Sequence, residues 1–388
     1  MLQHNKWILL LAWLAATAQA QPAATETNLV LVTLDGVRWQ EVFRGLDQRL
    51  ADNKDFNLLG ETLTTRFEAA TPQDSAAKLF PFLHTVVATQ GTLIGNRDAH
   101  SCAHVTNPWT ISYPGYNEIL TGAADPAIDS NEAKPNPNVS FLEWLNKDVA
   151  PFKGKVLAFG SWDVFPAILN SERSGIPVDV KMKASTAGED AQLLGRLSAD
   201  LPVMWPTIRY DAFTHRAALQ ALHDKKPRVL YIAYGETDDF AHDGHYDQYL
   251  LAAHRTDRFL GELWDTLQSE PQYRNNTVLF ITTDHGRDSE PLASWQNHAS
   301  SASLAEHQIA LAAYDETSVG ADAVWMAAIG AGVPARGPIA TASCAGSNQI
   351  AATLLQLLGL QPKQFSAQAG VAITEFLSGL PLLAQVNH

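Results

Sequence analysis

The sequence predicts an α/β domain: a mostly parallel central sheet with helices on both faces and a small insertion or lid. Three observations carry that prediction. Short apolar runs bounded by Gly recur along the chain, as buried parallel strands do. Helical patterns separate these runs, the alternation expected of a parallel sheet covered on both sides. Three of the runs end in an acid, or an acid with a histidine, where open α/β sheets collect functional groups. The fullest example is Val278-Leu-Phe-Ile-Thr-Thr-Asp-His-Gly-Arg287, an apolar run that delivers Asp284 and His285 before Gly286 breaks it.

The elements follow in order. Asn28 to Leu34 is the first strand and ends at Asp35-Gly36. Leu83 to Gln90 reads as a short helix, followed by a strand from Thr92 to Gly95 and a loop from Asn96 to Trp109. Ser112-Tyr-Pro-Gly-Tyr-Asn-Glu-Ile-Leu-Thr-Gly122 is a turn into a short helix, with Pro114 in its first turn and Gly122 past its end. A Pro/Asn-rich loop from Asp125 to Asn138 leads to a helix at Phe141 to Leu145, and Val156 to Gly160 is another strand. The stretch from Phe165 to Pro206 is less regular and reads as the insertion or lid. Tyr210 to His223 is helical, Arg228 to Tyr234 a strand, and Gln248 to Leu267 a long amphipathic helix. Ala323 to Ile329 is a further strand, and Ser347 to Leu358 a helix that Gly359 stops.

Composition narrows the function. Hydrophobic residues make up 46% of the 388 and charged residues 18%, enough for a sizeable core. A formal charge of −14 with no Lys/Arg cluster argues against a nucleic-acid-binding patch. Residues 1–20 read as a secretory signal peptide: Lys6, an apolar run from Trp7 to Ala15, and the Ala18-Gln-Ala20 cleavage site. That run is too short to span a bilayer, and no other segment offers a membrane span. The expectation is a periplasmic or secreted protein whose residues 21–388 form one domain, with no Pro/Gly/Ser-rich linker dividing it. In an oxidising compartment Cys102 and Cys344 are free to pair, although their spacing does not require it.

The strand ends carry the chemistry. Asp35, Asp238 with His242, and Asp284 with His285 are candidate ligands for a divalent cation. On a helix, Asp238 and His242 would share one face; off a metal, the same spacing is an ordinary exposed pair. Asp239 to Asp247 does not fit a calcium loop, because Ala241 stands where a ligand is required. Ser112 lies at a helix N-terminus, where backbone N–H groups and the helix dipole favour a phosphoryl anion. It is either a helix cap or a nucleophile activated by an adjacent metal.

Taken together these motifs resemble the alkaline phosphatase superfamily, most closely its type I phosphodiesterase/nucleotide pyrophosphatase branch, over roughly residues 28 to 358. Leu34-Asp35-Gly36 is similar to the family's first metal motif. The Ser112 to Gly122 segment is similar to its nucleophile helix, and Asp238-x-x-x-His242 and Thr283-Asp284-His285-Gly286 to its other two metal motifs, in the same order. The resemblance implies a two-metal site, usually zinc. Asp238, His242 and a later His would hold one ion; Asp35, Asp284, His285 and the Ser112 oxygen would hold the other. The later His is His298, with His307 as its rival. A nearby Asn that contacts the phosphoryl oxygen is expected at Asn131, with Asn136 and Asn138 as alternatives. The implied activity is hydrolysis of a small-molecule phosphate ester through a phosphoseryl intermediate.

Sulfatases share this fold but require C/S-x-P-x-R, and Tyr116 stands where that Arg belongs. Sulfuric ester hydrolysis is therefore the alternative, beside an exported binding protein that holds metal without turnover. No G-x-S-x-G motif supports a serine carboxylesterase. Arg287, beside the ligands, reads as a surface salt-bridge partner, with a substrate contact as the other option.

Overall fold

The structure is a computed structural model that describes residues 26–181, 189–299 and 320–378. Residues 1–20, expected to be a signal peptide, and His307 lie outside these residues. The strands are β1 (Asn28–Leu34), β2 (Gly91–Ile94), β3 (Ala103–His104), β4 (Val156–Gly160), β5 (Val178–Asp179) and β6 (Val229–Tyr234). They continue with β7 (Thr277–Thr282), β8 (Ala323–Val324), β9 (Met326–Gly330), β10 (Gly337–Pro338) and β11 (Ala345–Gly346).

Eight of them form the main sheet in the order β10-β2-β9-β7-β1-β6-β4-β5. The centre is parallel: β1 pairs with β6 from Leu29↔Val229 and with β7 from Asn28↔Thr277. Strand β9 runs antiparallel to both β7 and β2, so it alone departs from the parallel rule, and β2 and β10 beyond it again run with β7. An apolar run such as Met326–Gly330 is buried on both faces in either direction, which is why its sequence does not reveal its polarity.

Successive residues of β1 enter opposite cores, as the two-residue period of a strand requires. Val30, Val32 and Leu34 pack with the Tyr246–Ser269 and Asp211–Lys225 helices. Leu29 and Leu31 pack with the Ser112–Thr121, Phe141–Asp148 and Ile350–Leu357 helices. Helices therefore cover both faces.

The stretch expected to be an irregular insertion contributes β5 to the sheet edge, paired parallel with β4, and a helix at Glu189–Asp200. Between Val37 and Phe82, where no periodic pattern accumulates, four short helices form: Trp39–Arg44, Gln48–Ala51, Glu61–Phe67 and Pro72–Leu79. Cys102 and Cys344 are joined in a disulfide with their Cα atoms 4.7 Å apart, where β3 and β11 lie side by side in the small second sheet. Among the described residues no helix is long and apolar enough to cross a membrane.

Candidate functional site

The three acid-bearing strand ends meet at one edge of the sheet because β6, β1 and β7 are adjacent and parallel. Strand β1 hands over to Asp35, whose N–H still bonds Tyr234 O of β6 at 3.0 Å. Gly36 then turns at φ +61°, and its N–H donates to Asp284 Oδ1 at 3.2 Å. A Cβ at Gly36 would lie 2.7 Å from Asp238 Oδ1 and 3.3 Å from His285 Cε1, so the backbone itself forms one wall of the site.

Strand β7 delivers Asp284 and His285, both fully buried. After β6 the chain enters the Glu236–His242 helix, which puts Asp238 and His242 one turn apart, with Asp238 Oδ2 3.2 Å from His242 Nε2. The Ser112–Thr121 helix comes in from the side, and Gly115 lets it approach: a Cβ there would sit 2.4 Å from the Asp284 carbonyl oxygen. Ser112 is the first helical residue. The cap position belongs to Ile111, and Ser112 Oγ instead lies 3.3 Å from His285 Nε2.

Two groups of ligand-type atoms result, each within 4.8 Å: Asp35, Asp284 and His285 in one, Asp238, His285 and His298 in the other. His285 Nε2 is 3.3 Å from Asp35 Oδ1, 3.3 Å from Asp284 Oδ2 and 4.0 Å from Asp238 Oδ1. His298 Nε2 is 3.0 Å from His242 Nε2 and 3.8 Å from Asp238 Oδ1, and its ring stacks on His285 with centroids 3.8 Å apart. All seven candidate ligands therefore gather in one place, with His285 between the two groups.

Asp35 Oδ1 and Asp284 Oδ2 are buried without a hydrogen-bond partner, an arrangement that is costly unless a cation faces them. His285 and His298 each point Nδ1 at a backbone carbonyl, Gly286 O at 2.8 Å and Thr110 O at 2.9 Å. A carbonyl only accepts, so each Nδ1 carries a hydrogen and each ring turns Nε2 to the interior, the atom through which a metal-binding imidazole acts. The donor set of Asp and His fits a divalent metal of the zinc class.

The electrostatics agree with that fit. Burial, reinforced by the Asp35 charge, pushes the Asp284 carboxyl well above its ordinary range. Burial alone would pull the His285 imidazole down, but Asp284, Asp238 and Asp35 outweigh it and push it up to about 9. Burial and the neighbouring His285 hold His298 well below the ordinary value. Buried carboxylates this close require positive charge between them, which a divalent cation carries.

The remaining predicted residues separate clearly. Asn131 Oδ1 accepts the Tyr113 N–H at 2.9 Å, at the mouth of the Ser112 helix. Asn136 and Asn138 instead donate to Asn117 Oδ1 at 3.1 and 3.2 Å, on the buried side of the loop. Arg287 is not the surface residue expected. It is fully buried, bonds the Trp295 carbonyl at 2.7 Å, and pairs with Asp238 and the Gln296 carbonyl. The reason is that Gly286 turns the chain inward past β8, where a Cβ would lie 2.3 Å from Ala323 O.

Sequence reasoning assigned no role to Tyr116, Thr110 or Gly115, although all three touch the site. Tyr116 O–H donates to Asp35 Oδ2 at 2.8 Å. The only signal was its place one turn after Ser112, on the same helix face.

A family model described as type I phosphodiesterase / nucleotide pyrophosphatase matches residues 121–328, just over half of the chain. No curated protein sequence matches. Among solved structures, a protein in the alkaline phosphatase superfamily from Vibrio parahaemolyticus is similar with TM-score 0.55 and 14% identity, covering 92% of this chain and 72% of that one. The alkaline phosphatase PafA is similar at TM-score 0.54 and 12% identity, with 91% and 99% covered. A 2-O GAG sulfatase, BT1596, is similar at TM-score 0.52 and 12% identity, with 90% and 74% covered. At such identities the likeness is one of fold.

Proposed function

Because the chain belongs to the type I phosphodiesterase / nucleotide pyrophosphatase family, we propose that it is an exported two-metal phosphoric ester hydrolase with Ser112 as its nucleophile. The observation that carries the proposal is that Ser112 Oγ lies 3.3 Å from His285 Nε2, the atom that is also 3.3 Å from Asp35 Oδ1 and Asp284 Oδ2. Asp238, His242 and His298 would hold one divalent ion, and Asp35, Asp284, His285 and Ser112 Oγ the other, with zinc the metal that the donor set favours. Bound there, the ions would supply charge neutralisation and favour the alkoxide over the hydroxyl.

The chain's own residues do the rest. The Ser112–Thr121 helix presents its N-terminus to the phosphoryl group, so its dipole favours the anion. Asn131, already fixed to the Tyr113 N–H, lies beside that N-terminus with its amide nitrogen available to a non-bridging oxygen. Ser112 Oγ loses its proton and forms the new bond to phosphorus as the ester oxygen leaves with its electron pair and takes up a proton, giving a phosphoseryl intermediate. Water then breaks the phosphorus–Oγ bond, releasing the phosphate product and returning a proton to Ser112. Positioning and charge stabilisation account for most of the barrier lowering in such transfers.

Tyr116 weighs against the sulfatase alternative, since its hydroxyl is committed to Asp35 and offers no guanidinium to a sulfate. The disulfide and the leader sequence support export. The test is turnover of p-nitrophenyl phosphate, bis-p-nitrophenyl phosphate and p-nitrophenyl sulfate by zinc-loaded protein beside Ser112→Ala. Diester cleavage that falls by at least ~10³-fold in the variant is expected. Equal turnover in Ser112→Ala would remove Ser112 from the mechanism, and no turnover with metal bound would favour the binding protein.

A further inference from the structure

Thr110 has a left-handed backbone at φ +50°, although a β-branched residue is rarely found there. Such a conformation persists only where its surroundings over-determine it, and it marks functional positions more often than neutral ones. Here the determinants are visible. Glu118, fully buried on the nucleophile's own helix, accepts from four donors: Thr106 N–H at 2.8 Å, Thr106 Oγ1 at 2.9 Å, Asn107 N–H at 2.9 Å and Asn107 Nδ2 at 2.8 Å. With its amide nitrogen committed to Glu118, Asn107 turns Oδ1 the other way, where it accepts the Trp109 and Thr110 N–H groups at 3.1 and 3.0 Å. The loop is thus fastened to the helix that carries Ser112.

Thr110 then makes two contacts to one residue. Its carbonyl accepts from His298 Nδ1 at 2.9 Å, and its hydroxyl donates to the His298 carbonyl at 2.6 Å. The first fixes the ring and its tautomer; the second fixes the backbone from which the ring projects.

We propose that Thr110 is a positioning residue: its left-handed turn, held by Glu118 and Asn107, locks His298 and Ser112 into one rigid unit. The proposal rests on reading His298 as a ligand. Without the hydroxyl, the Nδ1 bond alone ties His298 to the Ser112 loop, and the backbone from which Nε2 is aimed at Asp238 and His242 is no longer fixed.

The test compares Thr110→Ser, which keeps the hydroxyl, with Thr110→Gly, which deletes it while relieving the backbone. Zinc affinity is measured by chelator competition on metal-free protein, together with the melting temperature and kcat. Thr110→Ser should stay within about twofold of wild type in zinc affinity. Thr110→Gly should melt close to the wild-type temperature, because relief of the strain at this φ offsets the lost hydrogen bond and the added chain entropy. Its weaker zinc site should nevertheless lose affinity by roughly 10-fold, the scale of a lost outer-shell contact, with kcat falling in parallel. A residue that only shapes the loop would not separate stability from affinity in this way. Wild-type zinc affinity in Thr110→Gly overturns the proposal, as does a wild-type protein that binds no zinc. Two bound zinc ions without ester turnover would defeat the hydrolase reading alone. Should Thr110→Gly prove too loose to purify, Thr110→Ala carries the same affinity comparison.

Discussion

The Tyr116 hydroxyl holds Asp35 Oδ2 at 2.8 Å and so leaves Oδ1 as the atom turned toward His285. Tyr116→Phe keeps the ring packed against Phe165, 4.8 Å away between centroids, and deletes only that hydrogen bond. Zinc affinity should fall by roughly 10–100-fold, read by the same chelator competition; unchanged affinity would mean that Asp35 is oriented by its backbone alone. Residues of this kind mark the limit of what the sequence reveals. Asp and His at strand ends are legible because few residue types bind such a metal and their spacing is local. Tyr116, Thr110 and Arg287 act through contacts between segments remote in sequence, Thr110 to His298 and Arg287 to Asp238 among them, and no local pattern encodes those. Arg287 reads as a surface charge for that reason. An Arg after a Gly looks exposed until the fold closes over it.

The long regular elements were legible and the short ones were not. The first strand lies where its apolar run places it, Asn28–Leu34, and the amphipathic pattern from Gln248 to Leu267 widens only to Tyr246–Ser269. Four helices of four to eight residues before Phe82 hold too few turns for a 3.6-residue period to emerge. The Asp211–Lys225 helix yields a prediction of its own through His215. That side chain is buried, with Nδ1 2.8 Å from the Tyr234 hydroxyl and its ring stacked on Phe259 at 4.2 Å. Burial pulls its pKa down from 6.5 to about 4. Between those values the unfolded chain binds a proton that the folded one refuses, so stability is full above pH ~6.5 and is lost as pH falls toward ~4. A difference of that size corresponds to roughly 3 kcal/mol. His215→Gln should flatten this part of the pH dependence, measured as urea midpoints at neutral and acidic pH against wild type. Parallel curves for the two proteins would show that His215 titrates normally.

At the scale of the whole molecule, sheet order and the direction of β9 had to come from the structure, because pairing depends on which surfaces the helices leave free. The disulfide, open in the sequence, is closed here across a separation of 242 residues. Removing it with the double change Cys102→Ser and Cys344→Ser should lower unfolding free energy by on the order of 2–5 kcal/mol. Equilibrium denaturation without reductant reads this, and an unchanged midpoint would mean the pair adds no constraint. Strand β1 has a further consequence. It is made first, yet it lies at the centre of the sheet, and its partners β6 and β7 follow only at Val229 and Thr277. A ribosome adding about 5–20 residues per second needs roughly 10–50 s to bring β7 out after β1. Through that interval a sticky apolar strand has nothing native to pair with, and long-range closure of this kind is intrinsically slow. Under the export proposed above, the delay would keep the emerging polypeptide threadable, because its central strand cannot close the sheet before β6 and β7 arrive.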